Sequence, residues 1–207
     1  MPFFKSLQGV EKMKKTKKIA LIGGPGCGKS TLVLDLTAYL KRQGVDARFI
    51  SEYPTDYINN CGPPKTFYEQ INIYYGQKKK EAEFENLKNP PDVIICDYAG
   101  FVAFVYYMTV YRPKKGKELI RKYEYLYGEF EKICREDIKD YDLIFLLNSA
   151  EIPFKKDGIR FQKDKEEGLI IDRNLENWMN MVQAHHDKIS GCPDERLKKV
   201  LPIIKTA

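Results

Sequence analysis

Apolar residues along this chain gather into short unbroken runs, separated by longer segments with helical spacing. "KKIALIGG" reads as a strand buried on both faces, because its apolar core is continuous rather than alternating. Residues 30–42 read as the helix that follows, ended by Gly44. "VDARFIS" is a second strand, stopping at Glu52 and the turn-forming residues of "EYPTDYINNCGPP". A helical pattern runs over about 66–87, "NPPD" breaks it, and "VIICD" is a third strand of buried type. Two helical stretches, over about 101–111 and 117–138, flank "RPKKG". "YDLIFLLN" is a fourth strand, and "SAEIPFKKDGIRFQKDKEE" reads as an exposed loop or lid. The spacing predicts a helix over about 167–188 and takes "KKVLPII" as a short last strand. Strands alternating with helices argue an α/β fold, a parallel sheet with helices on both faces.

Composition narrows the class. The chain has 207 residues, enough for one α/β domain, with 43% hydrophobic and 31% charged residues and a net charge of +6. A basic surplus beside plentiful acids suits an anionic ligand and permits nucleic acid without demanding it. The division expected is a basic leader over 1–16 and a single domain over 17–207, with the lid at about 150–166. Six lysines among the first eighteen residues form either a solvated leader or an anion-binding arm. Five scattered cysteines contain no C-x-x-C pair, so neither a zinc ribbon nor a disulfide framework is suggested. No apolar run is long enough to span a bilayer, and the expected setting is cytoplasmic, without membrane contact.

The strongest local signal is Gly23-Gly24-Pro25-Gly26-Cys27-Gly28-Lys29-Ser30, which fits the Walker A pattern G-x-x-x-x-G-K-[ST] between a predicted strand and helix. Glycines let the backbone approach the phosphates and aim successive N–H groups at them. Gly24, Pro25, Gly26, Cys27, Gly28, Lys29, Ser30 and Thr31 are the expected nucleotide-binding residues. Lys29 reaches the β- and γ-phosphates, Ser30 ligates Mg²⁺, Thr31 helps hold the phosphates, and Cys27 is a small filler. ATP and Mg²⁺ are the expected cofactors.

Ligands of open α/β sheets collect at the carboxyl ends of strands. Asp97 closes the third strand and either holds Mg²⁺ as a Walker B acid or caps the next helix. Glu52 closes the second, as a base for an acceptor hydroxyl, a surface turn residue or an outer partner of the magnesium. Asp97 is followed by Tyr98 rather than Glu, which argues for transfer to an acceptor over hydrolysis. In "PFKKDGIRFQKDK" a planar guanidinium, Arg160 first, either meets the transferring phosphoryl group or belongs to a solvated hairpin. Lys155, Lys156 and Arg173 are weaker candidates. Of the many aromatic residues, Tyr53 and Tyr98 are the substrate candidates, since each directly follows a candidate acid. The pair His185-His186 has no partner motif and reads as surface or capping.

With these residues in view, the chain resembles the NadR-like nucleoside kinase group of P-loop proteins, small ATP-binding domains also known as AAA domains. "GGPGCGKSTL", "FISEYPTDYI" and "YDLIFLLNSAEIPFKKDGIRFQ" carry the likeness, which spans about 17–185. The resemblance implies a nucleoside-kinase-like sheet ordered 2-3-1-4-5, with Asp97 beside the phosphate loop, Glu52 one strand further out, and Arg160 as a lid residue on the phosphates. Pro54-Thr55 departs from the group's Glu-Tyr-x-Arg segment. The leading expectation is an ATP- and Mg²⁺-dependent kinase acting on a hydroxyl of a nucleoside, nucleotide or related small molecule, with Lys29, Glu52, Asp97 and Arg160 catalytic. A kinase acting on a nucleic-acid end or a hydroxymethylated base, and a nucleotide-dependent switch ATPase, are the competing classes.

Overall fold

A computed structural model describes residues 15–114, 117–151 and 165–206. Strand β1 (Lys17–Ile22) leads through the phosphate loop into α1 (Lys29–Arg42), and β2 (Ala47–Ile50) follows. Helices α2 (Tyr53–Cys61) and α3 (Phe67–Glu85) return the chain to β3 (Val93–Cys96). After β3 come α4 (Val102–Tyr106), a π-helical turn (Tyr107–Tyr111), a 3-10 turn (Arg112–Lys114), α5 (Lys117–Lys122) and α6 (Glu124–Asp137). The chain closes with β4 (Leu143–Leu147), α7 (Lys165–Met181), β5 (Asp187–Ile189) and α8 (Pro193–Thr206).

The five strands form one parallel sheet in the order β2-β3-β1-β4-β5. Alternate residues of each strand serve opposite faces. Ile19 and Leu21 of β1 pack with Leu32, Leu36, Val200 and Ile204 of α1 and α8. Ala20 and Ile22 join the larger layer built by α3, α4, α6 and α7. That covering explains why the strands lack polar alternation.

Three expectations are corrected here. "EYPTDYINNCGPP" holds a helix: Pro54 sits in the first turn of α2, where its missing N–H has no helical partner to lose. "KKVLPII" lies in α8 rather than in a strand, because Leu197, Val200, Leu201 and Ile204 recur at helical spacing and pack on α1. The fifth strand is instead "DKI", short and held by pairing with β4, and the helix expected to reach residue 188 ends at Met181. The expected order survives with a different segment at its edge. No helix among the described residues is long and apolar enough to cross a membrane.

Candidate functional site

The phosphate loop turns from the carboxyl end of the central strand into α1. Gly28 has φ 87° and caps α1; that left-handed geometry costs a residue with a β-carbon roughly 1–2 kcal/mol. No side chain caps the first turn of α1, and no acid stands in it. Such a helix end offers its N–H groups and partial positive charge to an anion. Gly24 is demanded by close approach instead, since a β-carbon there would lie 2.7 Å from both the Gly168 carbonyl oxygen and Ser149 Oγ.

Lys29 is buried, and its Nζ curls back to donate to the Gly23 and Gly24 carbonyls at 3.1 Å each. Burial works to lower its pKa. Cys27, Glu52 and Asp97 outweigh that and hold the ammonium above the ordinary lysine value. Lys29 is therefore held as a cation within the loop.

Asp97 stands one residue past β3 and is 5% exposed. Burial pushes its carboxyl up to about 6, against the pull of the Lys29 cation and a hydrogen bond from Ser30. Its Oδ1 is buried without a hydrogen-bond partner. An unsatisfied carboxylate oxygen beside a hydroxyl, at the N-terminal end of α1, fits a hard divalent cation with oxygen ligands.

Glu52 is the residue before α2, in extended conformation, and accepts a hydrogen bond from the Thr55 hydroxyl. Its charge reaches both Lys29 and Asp97. Three groups far apart in sequence thus meet at the carboxyl ends of β1, β2 and β3. Gln77 of α3 ties the two strand-end dipeptides together. It accepts the Tyr53 N–H at 2.9 Å and donates to the Tyr98 carbonyl at 3.1 Å.

The tyrosines divide. Tyr98 is buried, and Tyr106, which the sequence offered only as one ring among many, joins the charged cluster. Burial pushes both hydroxyls up, and Glu52 adds to the effect in each case. They remain protonated donors at neutral pH. The ring of Tyr53 turns away onto α3, where a β-carbon on Gly76 would come within 2.1 Å of it, and Lys80 lies over its face at 5.8 Å. There it lines an outer groove of about 410 Å³ between α2 and α3, with Tyr57, Asn60, Asn72 and Tyr75. Thr31 is exposed at the start of α1, and Arg173 is exposed on α7. Arg160, Lys155 and Lys156 lie outside the described residues. His185 is exposed, 3.9 Å from the Asp187 carboxylate.

Two residues that sequence reasoning missed hold the loop from behind. Asp172 of α7 accepts the N–H of Gly24 at 2.5 Å and that of Ser149 at 2.8 Å. Arg196 of α8 is 1% exposed and donates to the carbonyls of Cys27, Asn148 (3.1 Å) and Gly191 (2.8 Å). A carboxylate and a guanidinium therefore brace the loop on either side of Pro25-Gly26. Arg196→Ala would leave buried carbonyls unsatisfied, and unfolding stability should fall by about 3 kcal/mol. Thermal denaturation with and without ATP checks this, with the ATP-induced stabilisation shrinking as well. No motif marks either residue, because their partners stand 148 and 169 positions away.

Comparison with known proteins follows the same lines. A family model described as AAA domain matches residues 18–192. No curated protein matches the chain. The solved structure of NadR protein in complex with NR is similar at a TM-score of 0.69 and 17% identity, over 92% of this chain and 50% of that one. NadR in complex with NAD and AMP-PNP gives 0.63 and 16%, over 92% and 49%. Deoxyadenosine kinase from M. mycoides with bound dATP gives 0.62 and 16%, over 91% and 99%. The chain thus spans about half the length of NadR, and at such identities the likeness speaks for the fold. With a family match running from β1 to the turn before α8 and the sheet order found here, the chain belongs to the AAA-domain family and has the P-loop fold of the NadR-like nucleoside kinase group.

Proposed function

We propose that this protein is a kinase that transfers the γ-phosphoryl group of ATP to a hydroxyl on a nucleoside, a nucleotide or a related acceptor. The observation that carries this reading is the convergence of Lys29, Asp97 and Glu52 at three adjacent strand ends. The loop N–H groups and Lys29 hold the β- and γ-phosphates. Ser30 and Asp97 would hold Mg²⁺, which when bound neutralises charge on the phosphate oxygens. Glu52 accepts the proton of the acceptor hydroxyl, with Thr55 orienting its carboxylate. Tyr98 and Tyr106 stand beside Glu52 and donate hydrogen bonds to the acceptor. Arg160, from the segment between β4 and α7, stabilises the charge that builds on the transferring group. NadR and deoxyadenosine kinase, whose solved complexes hold NR, NAD, AMP-PNP and dATP, support a nucleotide donor and a nucleoside-like acceptor.

The test offers γ-labelled ATP and Mg²⁺ to the purified protein. Nucleosides, nucleotides, and DNA with and without hydroxymethylated bases serve as acceptors. Label on any acceptor supports the kinase. Label released only as free phosphate overturns it in favour of a nucleotide switch.

A further inference from the structure

A cation, Arg112, directly follows the π-helical turn after α4. Arg112 is half-buried, and its Nε is fully buried without a hydrogen-bond partner. Its guanidinium lies 5.8 Å from the centre of the Tyr127 ring, and no carboxylate pairs with it among the described residues. Most arginines that leave the surface gain an acid or several carbonyls, as Arg196 does. Among the described residues Arg112 has the face of the Tyr127 ring and no acid. A buried N–H donor left unsatisfied costs about 1–3 kcal/mol, so it calls for an explanation.

The surroundings of Arg112 supply one. Helix α3 returns the chain from the end of β2 to the start of β3, and α6 returns it to the start of β4. In a parallel sheet both helices must therefore begin on the carboxyl side, the side of Lys29 and Asp97. Arg112 stands at that end. Tyr127, under its guanidinium, belongs to the first turns of α6 and meets Phe67 of the first turn of α3, with ring centres 4.6 Å apart. The neighbouring Tyr111 stacks on Tyr107 and is electrostatically linked to Tyr98, which in turn faces Glu52. The order along this rim is thus phosphate loop, Glu52, an aromatic wall, then a cation. π-Helical turns of this kind often interrupt helices at ligand sites.

We propose that Arg112 receives an anionic group of the acceptor, namely a phosphate attached to the nucleoside at some distance from the hydroxyl that Glu52 deprotonates. The acceptor is then a nucleotide, either free or within a strand, and not a neutral nucleoside. The planar guanidinium suits this, since it can give two parallel N–H bonds to phosphate oxygens while its other face stays on Tyr127. The proposal rests on the kinase reading for the identity of the site, but its test does not depend on transfer.

The test is a calorimetric titration of the full chain, in the presence of a non-hydrolysable ATP analogue. The ligands are deoxynucleosides, their 5′-monophosphates and a short mixed-sequence single strand. The wild type should bind a phosphate-bearing ligand about tenfold or more tighter than the bare nucleoside. Arg112→Ala should erase that preference while leaving the affinity for the ATP analogue unchanged and without lowering the melting temperature, and Arg112→Lys should keep part of it. Preference for the monophosphate identifies a free nucleotide. Preference for the strand alone, weakening steeply with salt, identifies nucleic acid. Equal binding of nucleoside and nucleotide, a preference that survives Arg112→Ala, or binding of none of the ligands would overturn the proposal. An Arg112-dependent preference without any transfer of label would overturn the kinase reading and leave the anion site standing.

Discussion

Glu52→Gln should lower phosphoryl transfer by about 10²–10⁴-fold, the range expected when a positioned general base is lost. Glutamine keeps the shape and can still accept the Thr55 hydroxyl, so the local structure has no reason to change. What disappears is the group able to take the acceptor proton. ATP binding should hold or tighten slightly, because one negative charge near Lys29 is removed from a site that must admit polyphosphate. Single-turnover kinetics alongside an equilibrium ATP titration separate the two effects. Unchanged transfer would remove Glu52 from the mechanism.

Asp97→Asn should disable the protein and stabilise it. The Asp97 carboxyl is pushed from an ordinary 3.8 to about 6, mainly by burial. Keeping it ionised at neutral pH therefore costs the metal-free fold about 3 kcal/mol. The sign follows from proton counting. Between pH 4 and 6 the folded state holds more protons at this group than the unfolded chain does. Its unfavourable contribution is fully present above about pH 6 and gone below about pH 4. Metal-free Asp97→Asn should thus melt above the wild type at pH 7.5, and the gap should close as pH falls through that window. With ATP and Mg²⁺ the order should reverse, since only the carboxylate offers its unpaired Oδ1 to a cation. Thermal melts at several pH values, with and without Mg-ATP, check both halves. A variant less stable than the wild type in the absence of metal at pH 7.5 would contradict the burial argument. Buried charge of this sort is a familiar stability cost of functional sites.

How much of the site was legible beforehand depended on how local each signal was. The phosphate loop was readable because its work is done by consecutive residues. Glycines, a lysine and a hydroxyl between a strand and a helix need no distant partner to make an anion-binding turn. Glu52 and Asp97 were readable for a related reason: an acid that closes a buried strand lies at the sheet edge where ligands gather, whatever surrounds it. The two tyrosines that follow these acids were less so. Tyr53 and Tyr98 occupy equivalent places in the chain, yet Gly76 opens a seat on α3 for the first ring and burial takes the second towards the carboxylates.

The secondary structure shows the same boundary. Three of the five strands follow from continuous apolar runs, and β2 from a shorter one broken by Arg48. The fifth does not: "DKI" has little strand character of its own, and pairing with β4 decides it. "KKVLPII" looked extended because it is apolar and β-branched, but its side chains find α1 at helical spacing, and that packing wins.

By itself, then, the sequence determined that the chain is an α/β domain with a Walker A loop and acids at two strand ends, because periodicity and loop chemistry act over a few residues. Only the tertiary structure decided that Asp172 and Arg196 brace the loop from helices that follow it by more than a hundred positions, and that Arg112 stands near it without an acidic partner among the described residues. Those contacts depend on which helices the sheet order brings to its carboxyl edge, and no short-range pattern records that.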